Sequence, residues 1–130
     1  MRFEIEKTVK YWVESSTYDL TVTKSLYKQK KYPYALFFGH LALEKLLKAL
    51  YVKRNEKHAP FTHSLPMLSE KIGVALPKDI AIQLREFMEF YFESRYPDEQ
   101  QTFYKKCTKG YTNKKIKEIE RVFKWLKKQL

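Results

Sequence analysis

The segment from Leu36 to Tyr51 constrains the fold more than any other, because its apolar residues recur with the period of a helix. His40 and Glu44 lie within the apolar arc of that helix or at its margin, one turn apart. A buried imidazole or carboxylate costs free energy unless it is paired. The segment therefore predicts partner groups elsewhere in the fold or across an interface. At about 100° per residue, the arc is formed by large side chains, namely Leu36, Leu43, Leu47, Leu50 and Tyr51.

Further polar residues lie on or beside apolar stripes in other segments, which predicts one polar network. Its expected members are Asp19, His40, Glu44, His63 and Arg95. Glu44 is expected to pair with Arg95, because a guanidinium is the best partner for a desolvated carboxylate. This pair would either brace the bundle or form part of a binding site. Three lysines are expected on the solvated side of the same helix: Lys45, Lys48 and Lys53.

The apolar spacing elsewhere predicts an all-α protein with no strand. Only three glycines and five prolines occur in 130 residues, which is too few for a turn-rich β-sandwich. Ser64 is a good N-cap for a short helix, and Gly73 is a stop signal after it. A polar loop is expected over 98–111. The predicted helices cover residues 4–29, 34–55, 65–72, from 77 or 78 to 95 or 96, and 112–129. One domain over 1–130, an antiparallel up-and-down bundle of four long helices and a short one, is the expected architecture.

The charge of the chain indicates an anionic partner or a solvated basic surface. The formal net charge is +11, and residues 105–130 contribute ten Lys and Arg against two Glu. Nucleic acid, a nucleotide or an acidic protein would each match this excess. The predicted basic patch lies on the last helix and consists of Lys114, Lys115, Arg121, Lys124 and Lys128.

Motifs for chemistry are scarce. The sequence contains no glycine-rich phosphate loop, no zinc signature and no serine nucleophile elbow. We therefore expect no cofactor, no metal and no catalytic residue, and the residues alone indicate no enzyme class. The single cysteine, Cys107, cannot form an internal disulfide, and no segment is typical of a signal peptide or a membrane span. These features are typical of a cytoplasmic protein.

The order of several stretches over roughly residues 8–128 resembles the HEPN domain family of small helical proteins. The stretches are Trp12, Asp19 with Leu20, Pro33 to Leu50, Thr62 to Leu65, and Tyr91 with Ser94 to Asp98. The resemblance implies a helical bundle that commonly dimerises, with a polar cleft near the dimer interface. It also implies binding of a nucleotide or RNA, and a two-gene toxin–antitoxin type of pair with a minimal nucleotidyltransferase.

The sequence departs from the ribonuclease pattern of that family. Many members cleave RNA without a metal by using an arginine followed four to six residues later by a histidine. Here Arg95 is followed by Tyr96 and Pro97, and no histidine occurs after His63. The chain resembles the non-nuclease branch, in which Arg-Tyr-Pro closes a helix and the site binds rather than cuts.

Two functions of different classes follow from the resemblance. The first is a module that binds a nucleotide or an RNA phosphate through His40, Glu44, His63, Arg95 and Tyr96, with the basic patch as a wider electrostatic surface. The second is a protein partner that regulates a nucleotidyltransferase without binding nucleotide itself. A metal-independent ribonuclease is the weakest alternative, since its histidine is missing.

Overall fold

The protein is an all-α bundle in a computed structural model, which describes residues 4–91 and 96–130. The short connection between the first two helices makes them antiparallel neighbours. The described residues form six α-helices and one 3-10 segment at Phe87–Phe90. The helices are α1 Ile5–Lys28, α2 Tyr32–Asn55, α3 Leu65–Lys71, α4 Lys78–Glu86, α5 Pro97–Lys106 and α6 Lys109–Lys127.

Helix α2 is the centre of the bundle. Fifteen of its 24 residues are buried, so it is covered on most sides rather than along one stripe. Helices α1, α3 and α6 and the 3-10 segment pack around it. The predicted apolar arc is confirmed, since Leu36, Leu43, Leu47 and Leu50 are fully buried. The two polar residues within the arc, His40 and Glu44, are buried with it.

Small residues let helices α1 and α6 approach α2 closely. A Cβ atom added to Gly39 would lie 2.7 Å from Cδ1 of Ile119 in α6, so the glycine makes room for that side chain. On α1, the Thr23 hydroxyl donates a hydrogen bond of 2.9 Å to the carbonyl oxygen of Ala35. The buried residues of helix α1 are polar, namely Ser16, Asp19 and Thr23, while its apolar residues, among them Val13 and Leu20, are partly buried against the core.

The predicted helix starts are largely confirmed, and two predicted boundaries are wrong. The Ser64 hydroxyl caps α3 by accepting a hydrogen bond from the Met67 amide, and Gly73 follows α3 with a φ of 70°. The helix predicted from 77 or 78 to 95 or 96 ends as an α-helix at Glu86. It continues as the 3-10 segment and becomes extended at Tyr91. Because a 3-10 helix has three residues per turn, Phe87 and Phe90 lie on the same side of this segment, and both are buried.

The polar loop predicted over 98–111 is also wrong, because most of it is helical. Helix α5 begins at Pro97, where a missing amide hydrogen does no harm. Asp98 and Glu99 lie in its first turn and Lys105 and Lys106 in its last, which suits the helix dipole. Helix α6 then begins at Lys109, three residues before the predicted start, and the Thr108 side chain caps it.

Candidate functional site

Glu44 is the centre of a polar cluster that α2 shares with the connector before α3. Its side chain is buried, and both carboxylate oxygens are engaged. The Lys48 ammonium donates a hydrogen bond of 3.0 Å to Oε2. Nδ1 of His63 lies 3.0 Å from Oε1, and its N–H donates to that oxygen. The cluster thus compensates the buried charge that the sequence led us to expect.

Lys48 was missed as a member of this cluster, and its predicted place on a solvated face is wrong. The residue is buried, because Glu44 lies one turn away and the Trp12 ring of α1 covers the ammonium at 5.4 Å from the ring centroid. The spacing of four residues between Glu44 and Lys48 is the spacing of helical ion pairs, and it was the available signal. Arg95, the expected partner of Glu44, lies outside the described residues.

His40 is completely buried and holds the connector against α2. Its Nε2 lies 3.0 Å from the carbonyl oxygen of His63, and a carbonyl only accepts, so Nε2 carries the hydrogen. Nδ1 is then an acceptor, 4.0 Å from Oε1 of Glu44 and without a hydrogen bond to any described group. Burial lowers the pKa of His40 to about 4, against the opposing effect of Glu44, so its ring is neutral near pH 7.

His63 is the member of the cluster that reaches solvent. Its side chain is 53% exposed, although its Nδ1 and its backbone carbonyl are both held by the buried residues. One face of its ring stacks on Tyr91, at 4.4 Å between centroids and 23° between planes. Tyr91 in turn stacks on Phe37 of α2 at 5.7 Å. Sequence reasoning named Tyr91 among the stretches that resemble the family and did not place it beside His63.

The remaining predicted network residues do not join this cluster in the part of the chain that is described. Asp19 is buried and pairs with Lys45, whose Nζ lies 2.8 Å from Oδ2, so it forms a separate ion pair between α1 and α2. Lys45 is therefore not on a freely solvated face as predicted. Tyr96 is 76% exposed and makes no hydrogen bond or ring contact with the described cluster.

The basic surface of α6 differs in membership from the predicted patch. Lys115 is turned toward Glu118 and Glu86, at 3.1 and 3.8 Å, and only 14% of its side chain is exposed. Lys117, which the prediction omitted, is exposed. At about 100° per residue, five basic residues fall within about 80° of helix surface, and we call this set the α6 basic stripe: Lys114, Lys117, Arg121, Lys124 and Lys128.

The α6 basic stripe is short of counter-charges. Arg121 pairs with Asp79 at 2.8 Å, while the four lysines form no ion pair with any residue in 4–91 or 96–130. The two acidic residues of α6 are engaged elsewhere, Glu118 with Lys115 and Glu120 with Lys24 at 3.1 Å. The four lysines of the stripe therefore present positive charge along one side of the helix that no acidic residue in 4–91 or 96–130 compensates.

Neither a metal-binding cluster nor a helix suited to span a membrane occurs among the described residues. No group of three or more His, Cys, Asp or Glu side chains in 4–91 and 96–130 could hold a metal ion. Within the same ranges, none of the helices combines the length and the apolar character that crossing a bilayer requires.

Comparison with known proteins identifies the fold family. Residues 9–129 match the family model for the HEPN domain. Among solved structures, the crystal structure of TT1696 from Thermus thermophilus is similar, with a TM-score of 0.79 and 18% sequence identity, over 94% of this chain and 98% of that one. At that identity the likeness shows the fold alone. No curated protein matches the chain.

Proposed function

Since the chain belongs to the HEPN domain family, we propose that it is a non-catalytic module that binds the phosphates of a nucleotide or an RNA strand. The binding surface consists of the α6 basic stripe together with the cluster edge at His63. Arg95 and Tyr96 contribute to the same cleft in this proposal, on the strength of the family resemblance.

The observation that carries the proposal is the charge of the α6 basic stripe. Its basic residues, Arg121 included, alternate at three and four residues, so successive basic positions lie about 4.5–6 Å apart along the helix axis. Positive charges at such intervals can contact successive phosphates of a single strand, and these contacts do not depend on the base sequence. Because the acidic residues of α6 are paired with Lys115 and Lys24, they do not weaken the attraction of the four stripe lysines for an anion.

Binding without cleavage is supported by the small number of groups in the described cluster that can reach a phosphodiester. General acid–base cleavage requires a proton acceptor and a proton donor that both reach the substrate. His40 is completely buried, and Glu44 is buried and accepts hydrogen bonds from Lys48 and His63. His63 is therefore the exposed group of the cluster. The sequence supplies no histidine after Arg95.

The assembly of the module is also part of the proposal. A homodimer and a genetic pairing with a minimal nucleotidyltransferase, in a toxin–antitoxin type of module, follow from the family resemblance. The competing function is a protein partner that regulates such an enzyme without binding nucleotide, since an acidic protein surface would also fit the α6 basic stripe. Recovery of a nucleotidyltransferase with the chain, while RNA fails to bind, would favour this alternative.

The proposal is tested by fluorescence anisotropy with a short labelled single-stranded RNA at low salt. The test variant replaces the four lysines of the stripe by Gln. The control variant replaces four exposed lysines elsewhere, so that both variants lose the same net charge: Lys53, Lys57, Lys71 and Lys78. We expect the stripe variant to bind at least about tenfold more weakly than the control.

Three results would contradict the proposal in different ways. Equal loss in the two variants would show that net charge alone drives binding. No binding by the wild type would remove the RNA-binding function. RNA that is shortened during the titration, and left intact by Arg95→Ala, would show that the module cuts. Arg95→Ala is otherwise expected to weaken binding without any effect on RNA integrity.

A further inference from the structure

Three aromatic rings form a stack that ends at the protein surface. Phe37 is buried in α2 and stacks on Tyr91 with 21° between their planes, and Tyr91 stacks on His63 with 23°. The stack thus runs from the core to a ring whose side chain is 53% exposed. Among the described residues, Tyr91 is the ring partner of His63, and it covers one face of the imidazole.

The terminal ring is held in place by polar contacts at two points. Glu44 accepts a hydrogen bond from Nδ1 of His63, and His40 donates one to the backbone carbonyl of His63. An exposed side chain normally loses rotamer freedom when it binds a ligand, which weakens affinity. His63 has already lost that freedom, because buried residues fix both its ring and its backbone.

We propose that the outer face of the His63 ring is a stacking platform for one unpaired nucleobase, so that this edge of the cluster contacts a base of the bound strand while the α6 basic stripe contacts its phosphates. This inference rests on the proposed function and specifies its ligand as single-stranded. A flat ring that continues an existing stack matches the shape of a base, and every base offers such a face. Recognition here is therefore tolerant of base sequence.

The first experiment compares two ligands on the wild-type protein. One is a short labelled oligoadenylate, and the other is the same ribose-phosphate chain without bases. Both carry the same phosphates, so contact with the α6 basic stripe affects them equally. We expect the chain without bases to bind about fivefold or more weakly. Equal binding would overturn the stacking proposal and leave the proposed function intact, whereas failure of both ligands to bind would overturn the proposed function itself.

The second experiment separates the ring of His63 from its hydrogen bond. His63→Phe keeps a ring and loses the donor to Glu44, while His63→Asn keeps an N–H near the position of Nδ1 and loses the ring. We expect His63→Phe, whose ring lacks the hydrogen bond to Glu44, to bind oligoadenylate more weakly than the wild type but about fivefold or more tightly than His63→Asn. Thermal unfolding by circular dichroism checks that both variants fold, and Tyr18→Ala, at an exposed tyrosine of α1, serves as a control for loss of a surface ring.

The opposite pattern would overturn the proposal. If a cationic His63 contacts a phosphate instead, His63→Phe binds no better than His63→Asn and makes the slope of log K against log salt less negative by about 0.7. With stacking, that slope stays the same in both His63 variants. Should His63→Phe fail to fold, the comparison of the two ligands on the wild type still decides between the alternatives.

Discussion

The burial of His40 predicts that the stability of the protein falls as the pH is lowered, and that His40→Gln removes a defined part of this fall. Burial holds the pKa of His40 at about 4 in the folded state, against 6.5 for a free histidine. Between these values the unfolded chain binds a proton that the folded protein does not. The stabilisation is therefore complete above about pH 7 and is lost as the pH falls toward 4.

The magnitude follows from the difference between the two pKa values. At about 1.4 kcal/mol for each pKa unit, a pKa lowered from 6.5 to about 4 corresponds to about 3.5 kcal/mol in all, of which about 3 kcal/mol is lost between about pH 7 and pH 4. A small domain has a stability of roughly 5–15 kcal/mol, so a loss of this size is readily measured. Since His40 is completely buried, solvent screening does not reduce this value.

The assay is urea unfolding followed by circular dichroism, repeated across this pH range for the wild type and for His40→Gln. Glutamine keeps an N–H near the position of Nε2, so the hydrogen bond to the carbonyl of His63 is retained while titration is removed. We expect the wild type to lose about 3 kcal/mol more than the variant between about pH 7 and pH 4. Parallel pH profiles would refute the assignment of a buried, neutral His40.

Two further stability predictions concern the cluster and the contact of α2 with α6. Lys48→Met is expected to lower the free energy of unfolding by about 3 kcal/mol, because it leaves the buried Glu44 carboxylate without its ammonium partner. Glu44→Gln combined with Lys48→Met should lower it by less than about 1 kcal/mol. Equal losses of stability in urea unfolding would contradict this coupling. The effect of Gly39→Ala on the free energy of unfolding is expected to be about 1 kcal/mol more favourable in an Ile119→Val background than in the wild type. The reason is that Cδ1 of Ile119 occupies the space that the new methyl group needs. Additive effects of the two substitutions would show that the helices do not meet as described.

The sequence predicted the central helix and its polar residues well, because the apolar period of α2 is nearly continuous. It did not predict α5, since only Phe103 of that helix is buried and no apolar stripe marks it. Pro97 and the charges at the two ends were the usable signals. No proline or glycine marks the change to a 3-10 segment at Phe87 in the sequence. The segment is accompanied by the packing of Phe87 and Phe90 in the core.

The partners inside the cluster could not be obtained by projection onto a helix. Lys48 lies among the polar residues of such a projection, yet Trp12 from another helix covers it. In the same way, Asp19 and Lys45 meet only because α1 and α2 pack side by side. Buried ion pairs depend on tertiary contacts, whereas the exposed lysines of α6 follow directly from spacing. The prediction of Lys115 in place of Lys117 was an error that the helical period alone could have prevented.

The salt dependence of RNA affinity tests the central proposal most directly. For a single strand, log K falls with log salt with a slope of about −0.7 for each phosphate that a basic group contacts. If the four stripe lysines, which pair with no acidic residue in the described part of the chain, each contact a phosphate, the wild type is expected to show a slope of about −3 with the RNA intact at the end of the titration. A slope near zero, or one that the stripe variant shares, would contradict the account.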